Sequence, residues 1–82
     1  MKNPSQNALS TKKAARRFFR DLLWRAFPAA SEREVAERAA RVLDVSERQV
    51  RNWLRCEHSA AWHYVAAVMV IAGAEVILGD AA

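Results

Sequence analysis

Glycine, proline and cysteine are scarce in this 82-residue sequence, with two, two and one copies. So few glycines and prolines exclude collagen-like and low-complexity disordered chains, and 52% hydrophobic with 27% charged residues is typical of one small, compact helical domain. The lone cysteine, Cys56, excludes an internal disulfide. It therefore argues against a small secreted scaffold and favours a reducing cytoplasm.

Basic residues are missing from the last third of the sequence. Residues 1–55 contain thirteen Lys and Arg against six acids, a formal charge of +7, whereas residues 56–82 contain three acids and no Lys or Arg, a charge of −3. This asymmetry suggests that one surface meets a polyanion while another packs against protein.

The residue patterns that catalysis and metal binding require are also lacking. We find no glycine-rich phosphate loop, carboxylate pair or Ser/His/Asp arrangement, so we expect no enzymatic activity and no cofactor. Cys56, His58 and His63 do not have the paired spacing of structural zinc sites, so we expect no metal site. Residues 1–12 lack the apolar stretch of a secretory signal, which again favours a cytoplasmic protein.

The chain is predicted to consist of a flexible tail over residues 1–9 and an all-α domain over residues 10–78. This domain is expected to be a small bundle of about four helices that contains a helix-turn-helix. A first helix should run from Ser10 or Thr11 to Ala26, because the residue before Pro28 is pushed out of the helical region. Its apolar face would hold Ala15, Phe18, Phe19, Leu22, Leu23 and Ala26.

The opposite face of this helix is basic. It contains Lys13, Arg16, Arg17 and Arg20. These side chains are either a solvated surface or contacts to nucleic-acid phosphates, and both interpretations stay open.

Two capping signals predict the next two helices. Ser31 and Glu34 have the spacing of a capping box, as do Ser46 and Gln49. They indicate helices over residues 34–43 and 47–57, joined by a turn of about three or four residues, which is typical of helix-turn-helix units. The apolar stripe of the former would be Val35, Ala39, Val42 and Leu43, with Ala36, Ala39 and Ala40 allowing a close crossing.

The helix over residues 47–57 has two contrasting faces. Val50, Trp53 and Leu54 should point into the core, and a polar strip spanning about 100° should point away. This strip contains no acid that would pair with its arginines four residues away. Arg can bind guanine and Asn adenine in a DNA major groove. The predicted base-reading residues are therefore Arg48, Arg51, Asn52 and Arg55, and the predicted phosphate contacts are Ser46, Gln49, Lys13, Arg16, Arg17 and Arg20.

Residues 36–55, AERAARVLDVSERQVRNWLR, resemble prokaryotic helix-turn-helix DNA-binding regulators of the kind found in phage and plasmid repressors. The resemblance lies in small residues at the helix crossing and apolar residues around the turn and on the second helix, namely Ala39, Ala40, Leu43, Val45, Val50 and Trp53. One departure is Asp44, where the family most often has a glycine in a left-handed conformation, which aspartate enters at tolerable cost.

The resemblance implies a small transcriptional regulator that binds double-stranded DNA sequence-specifically, with residues 47–57 in the major groove. The alternative is a protein-interaction module in a regulatory or phage-assembly complex, because a fold does not dictate its use.

The C-terminal segment is apolar around its whole circumference. Ser59 is expected to cap a helix over residues 60–78, with one face on Trp53 and the first helix. The remaining apolar surface, including Ile71 and Leu78, would make a homodimer, because soluble monomers rarely leave a large apolar patch exposed.

The same segment reaches the minimum length of a membrane span. His63, Gly73 and Glu75 interrupt it, and basic flanking residues lie on one side only. We therefore expect no membrane insertion.

Overall fold

The computed structural model describes the backbone of residues 4–81 and the side chains of residues 11–77. All regular structure in this part of the chain is helical. The elements are α1 (Pro4–Ala26), α2 (Glu32–Leu43), α3 (Glu47–Leu54) and α4 (Trp62–Ala81). The predicted all-α class and the number of helices are confirmed.

Helix α1 begins at Pro4, earlier than the sequence pattern suggested. The expected helix start at Ser10 or Thr11 is therefore wrong, and residues 1–3 lie outside the described part of the chain. Proline suits the first position of a helix because its fixed φ is already helical and its missing N–H has no partner there. No glycine or second proline follows before Pro28, and the helix ends at Ala26 as predicted.

The buried side of α1 is narrower than the apolar face predicted for it. Phe19, Leu23 and Ala26 are buried and Leu22 is half-buried, but Phe18 and Ala15 are exposed. The sequence pattern correctly placed these residues on one side of the helix. However, α3 and α4 cover only part of that side, so its margin remains in solvent.

Trp53 connects three of the helices. Its ring lies 5.2 Å from that of Phe19 in α1, edge to face, and 5.2 Å from that of Tyr64 in α4. Such pairs stabilise a core by about 0.5 to 1.5 kcal/mol beyond the burial of their apolar area. The predicted inward orientation of Val50, Trp53 and Leu54 is confirmed, since all three are buried.

Helix α2 is capped by Ser31, whose Oγ accepts a hydrogen bond from the Glu34 backbone N–H at 3.2 Å, as predicted. Because this cap places the first helical residue at Glu32, the helix starts two residues before the predicted position. Its alanines bring α2 close to α3, and those fully buried or nearly so are Ala36, Ala39 and Ala40. Val42 was expected in the apolar stripe but is 61% exposed, beyond the edge of the contact.

A three-residue turn, residues 44–46, joins α2 to α3. Asp44 has φ 56° and ψ 49°, the left-handed conformation expected for this position. Its backbone N–H and that of Val45 both donate to the carbonyl oxygen of Ala40, the latter at 3.1 Å. These bonds satisfy the end of α2 and reverse the chain without a glycine.

Helix α4 starts at Trp62, two residues after the predicted position, and continues to Ala81 instead of ending at residue 78. Ser59 is not its cap. The backbone N–H groups of Tyr64 and Val65, the third and fourth residues of the helix, donate to the carbonyl oxygen of Ala61 at 3.0 and 3.3 Å. No helix in the described residues combines the length and hydropathy needed to cross a bilayer.

Helix α4 lies alongside α1. Ala15, in the middle of α1, shares a small cavity with Ala60, just before α4, and Ala26, the last residue of α1, lines a hollow with Ile71 further along α4, so the two helices run in the same direction. The α4 residues that enter the core are Val68 and Ala72, flanked by half-buried Tyr64, Val65 and Ile71.

Candidate nucleic-acid interface

Helix α3 is positioned by a cap at its start. Ser46 has extended backbone angles, and its Oγ accepts a hydrogen bond from the Gln49 N–H at 3.0 Å, as the capping spacing predicted. The Ser46 side chain is exposed and that of Gln49 is half-buried. The hydroxyl hydrogen of Ser46 can still donate to a phosphate oxygen. Both predicted phosphate contacts lie at the N-terminal end of α3, where the helix dipole is positive.

The far end of α3 comes earlier than predicted. The helix stops at Leu54, so the expectation of helix through residue 57 is wrong for its last turn. Cys56 has φ 59°, and its N–H donates to the Trp53 carbonyl at 3.1 Å, while the Glu57 N–H donates to the Asn52 carbonyl at 2.9 Å. This pair of bonds is the Schellman ending, formed here without the glycine that usually occupies the left-handed position.

Arg55 stands at the end of α3. It is the C-terminal capping residue of the helix: its backbone N–H donates to the Arg51 carbonyl at 2.9 Å, and its Nε donates to a carboxylate oxygen of Glu32 at 3.0 Å. Its side chain is 57% exposed. Arg55 therefore closes the strip at the surface with its guanidinium turned toward Glu32, and its role in base reading stays a prediction.

The other three strip residues lie on the side of α3 opposite its buried face. Arg48 is exposed and makes no ion pair or side-chain hydrogen bond within the described residues. Arg51 lies 3.8 Å from a Glu47 carboxylate oxygen, and Asn52 Nδ2 lies 3.4 Å from His58 Nδ1. The prediction that no acid pairs with this strip is wrong, because Glu47 is four residues before Arg51.

These contacts leave the strip open to solvent. The side chain of Arg51 is 39% exposed and that of Glu47 is 52% exposed. Exposed ion pairs of this kind contribute about 0 to 1 kcal/mol, because water competes with them and the long side chains lose entropy. An incoming anion or base edge can therefore replace such a carboxylate at small cost.

A basic groove lies between α1 and the end of α3. It has a volume of about 610 Å³. Its lining consists of Lys13, Arg16, Arg17, Arg20, Leu54, Arg55 and Cys56. All four predicted phosphate contacts of α1 therefore face the same groove, and Arg55 joins them from α3.

Two of the α1 arginines are held by local partners. Arg16 Nε donates to the Ser59 Oγ at 2.9 Å, and Arg20 Nε donates to an Asp21 carboxylate oxygen at 3.0 Å. The hydrogen bond to Asp21, together with the charge of that carboxylate, raises the pKa of Arg20. Lys13 and Arg17 are exposed and make no ion pair or side-chain hydrogen bond in the described part of the chain.

Sequence reasoning missed two features of this groove. Cys56, of which the sequence pattern predicts only that it forms no disulfide or zinc site, ends α3 and lines the groove. Glu32, which belongs to no predicted site, pairs with Arg55 across 23 positions of sequence. The scarcity of glycine was the available signal for Cys56, since left-handed helix endings had to be made by other residues. No local pattern indicates the Glu32 contact.

Comparisons with known proteins assign no family to the chain: no protein-family model matches it, and neither a curated protein nor a solved structure matches it. Among the described residues, no group of three His, Cys, Asp or Glu side chains is placed to hold a metal ion.

Proposed function

We propose that this chain is a small transcriptional regulator that binds double-stranded DNA through α3 and the basic groove. Helix α3 would enter the major groove, with Arg48, Arg51 and Asn52 directed at base edges. The α1 side chains would hold the phosphate backbone beside it. Such a protein would act in the cytoplasm, in line with its unpaired cysteine.

The observation that carries this proposal is the continuity of one basic surface. The α3 strip ends at Arg55, and Arg55 also lines the groove that receives Lys13, Arg16, Arg17 and Arg20. A phosphate backbone presents a charge at regular intervals, so a reader needs cations beside the recognition element as well as on it. The fold supplies both from helices that are far apart in sequence.

The connection between α2 and α3 supports the same proposal. A three-residue turn, with Asp44 in the left-handed conformation, leaves α3 exposed along one side while its other side packs on α1 and α2. This is the arrangement in which the second helix of a helix-turn-helix unit reaches DNA. The resemblance of residues 36–55 to phage and plasmid repressors leads to the same proposal.

Arg55 is assigned here to phosphate contact. Its guanidinium faces the groove and Glu32, and it lies beyond the end of the helix that would carry base readers. Ser46 and Gln49 are proposed phosphate contacts at the opposite end of α3. The DNA backbone would then be held on both sides of the reading strip.

The direct test is binding of the intact chain to a fluorescently labelled duplex of mixed sequence, measured by anisotropy at increasing salt. The proposal predicts binding that weakens by about tenfold or more between about 50 and 200 mM salt, because bound counterions are released from the phosphates. No anisotropy change at the lowest salt would overturn it. That outcome would favour the alternative, a protein-interaction module, which draws its support from the exposed apolar surface of α4.

A further inference from the structure

The outer face of α4 is apolar and uncovered. The exposed fractions are 74% for Trp62, 74% for Val70 and 71% for Ile77, and Met69 and Val76 are about half exposed. Ile71, expected to face a partner, is instead half-buried against the core. The apolar surface available for a partner in the described residues is therefore centred away from Ile71, and Leu78, the other residue expected there, lies outside the residues whose side chains are described.

This face carries small residues between its large apolar ones. At 100° per residue, Ala66 and Gly73 lie along its middle, with Met69 and Val76 on one side and Ile77 on the other. A Cβ built on Gly73 would meet nothing within 4 Å, so packing inside this chain does not require glycine there. Glycine destabilises a helix interior relative to alanine, and small residues allow a second helix to approach closely.

We infer that this face of α4 pairs with the same face of a second copy of this chain. Seven residues separate Trp62 from Met69 and Met69 from Val76, the repeat that keeps two helices in contact as they wind around each other. With about 175 Å² for a fully exposed large side chain, the exposed parts of these five side chains amount to at most roughly 550 Å² per copy. Two copies that covered all of it would bury about 1,100 Å², just above the roughly 1,000 Å² that a specific interface needs.

An antiparallel arrangement centred near Met69 fits this surface. It places Trp62 of one copy beside Val76 of the other, since both lie seven residues from the centre. A hollow of about 190 Å³, lined by Gly73 and Val76 together with Leu22 and Arg25 of α1, would receive the indole ring. The same patch then serves both copies, as a twofold axis requires.

Charge favours a second copy over other occupants. Residues 56–82 contain no Lys or Arg, and the cation that borders this face is Arg25 of α1, in the hollow that would receive the indole ring. One cation is fewer than the cluster with which a protein attracts anionic lipids or a nucleic acid. Within residues 62–77, His63 is the only ionisable side chain on this side of α4, so two copies of the helix meet without opposing like charges. A homodimer would also present two α3 helices, although the pairing itself does not depend on DNA binding.

The test is sedimentation equilibrium of the intact chain without DNA, at tens of micromolar. The parent chain should be a dimer. Met69→Glu and Gly73→Leu should each raise the dissociation constant at least tenfold while leaving the helical circular dichroism intact, because the space around Gly73 is open in the single chain. Val42→Glu is the matched control, an equally drastic change at an exposed apolar residue of α2, and it should remain dimeric.

Either of two results overturns the inference. One is a monomeric parent chain at these concentrations. The other is a dimer that tolerates both Met69→Glu and Gly73→Leu, or that Val42→Glu weakens to the same extent. Because no DNA is present, neither result bears on the proposed function.

Discussion

Helices α3 and α4 share a core but present opposite chemistry to solvent. Both contribute to the cluster around Trp53, yet the outer side of α3 is polar with arginines, while that of α4 is apolar over more than four turns. Arg55, at the end of α3, adjoins the basic residues of α1, whereas α4 contains no Lys or Arg. One small core thus supports two surfaces suited to different partners, a polyanion and an apolar protein face.

The largest effect should come from Trp53→Ala, which removes the support shared by both surfaces. Trp53 is buried against Phe19 and Tyr64, so its truncation should cost about 3 to 5 kcal/mol in the free energy of unfolding. Urea denaturation followed by circular dichroism measures this loss. Trp24→Ala, at a tryptophan of α1 that is 37% exposed, should cost clearly less, because part of its ring already lies in water. Equal losses for the two variants would contradict the assigned core.

Asn52→Ala and Arg51→Ala should sharpen the comparison, because they change α3 without touching α4. Each should cost about 1 to 3 kcal/mol of binding to a preferred duplex and relax the sequence preference. Arg33→Ala is the control, since Arg33 also pairs with an acid four residues away but lies on α2. Competition binding with preferred and scrambled duplexes gives the result. A loss shared equally by both duplexes would show that α3 does not read bases.

The basic groove should respond differently from the α3 strip. Replacing both Lys13 and Arg17 with Gln should weaken binding to all duplexes alike. It should also reduce the slope of log affinity against log salt concentration by the amount expected for about two lost phosphate contacts. These two residues are suitable because neither has an ion pair or side-chain hydrogen bond to lose within the described residues. Titrations at several salt concentrations measure the slope. An unchanged slope would exclude the groove from the DNA interface.

The smallest expected effect is a gain. Glu32→Gln releases Arg55 from its ion pair and removes a negative charge beside the groove, so duplex affinity should rise by less than about tenfold. Glu37→Gln releases Arg33 on the outer side of α2 and serves as the control, with no change expected. Anisotropy titrations of the two variants in the same buffer measure both duplex affinities. A weaker Glu32→Gln complex would mean that this ion pair positions Arg55 for binding.

Capping residues and periodicity predicted the helices, whereas contacts between helices determined which of their side chains are buried. Ser31 and Ser46 cap their helices as the capping spacing indicated, and Asp44 takes the left-handed turn. These features involve residues close in sequence. Periodicity also predicted which way Phe18 and Val42 point. It could not show how far the neighbouring helices extend, and both side chains lie beyond the covered area.

The residues of the candidate site could be predicted from the sequence, but their arrangement on one surface could not. The basic residues of α1 and the strip of α3 could be identified from their spacing, whereas their meeting in one groove depends on how α1 crosses α3. The position of Arg55 depended on where α3 ends. That ending is made by Cys56, a residue type that seldom takes a left-handed conformation, so the pattern continued the helix one turn too far.

The most direct test of base reading by α3 is selection of bound duplexes from a random pool, performed with the parent chain and with Asn52→Ala. The parent chain should enrich a defined sequence, and Asn52→Ala should lose the preference at an adenine position while keeping the others. In a homodimer the enriched sequence would be a twofold repeat with half-sites about 34 Å apart. Enrichment of no sequence by the parent, or of an identical sequence by both chains, would contradict the account.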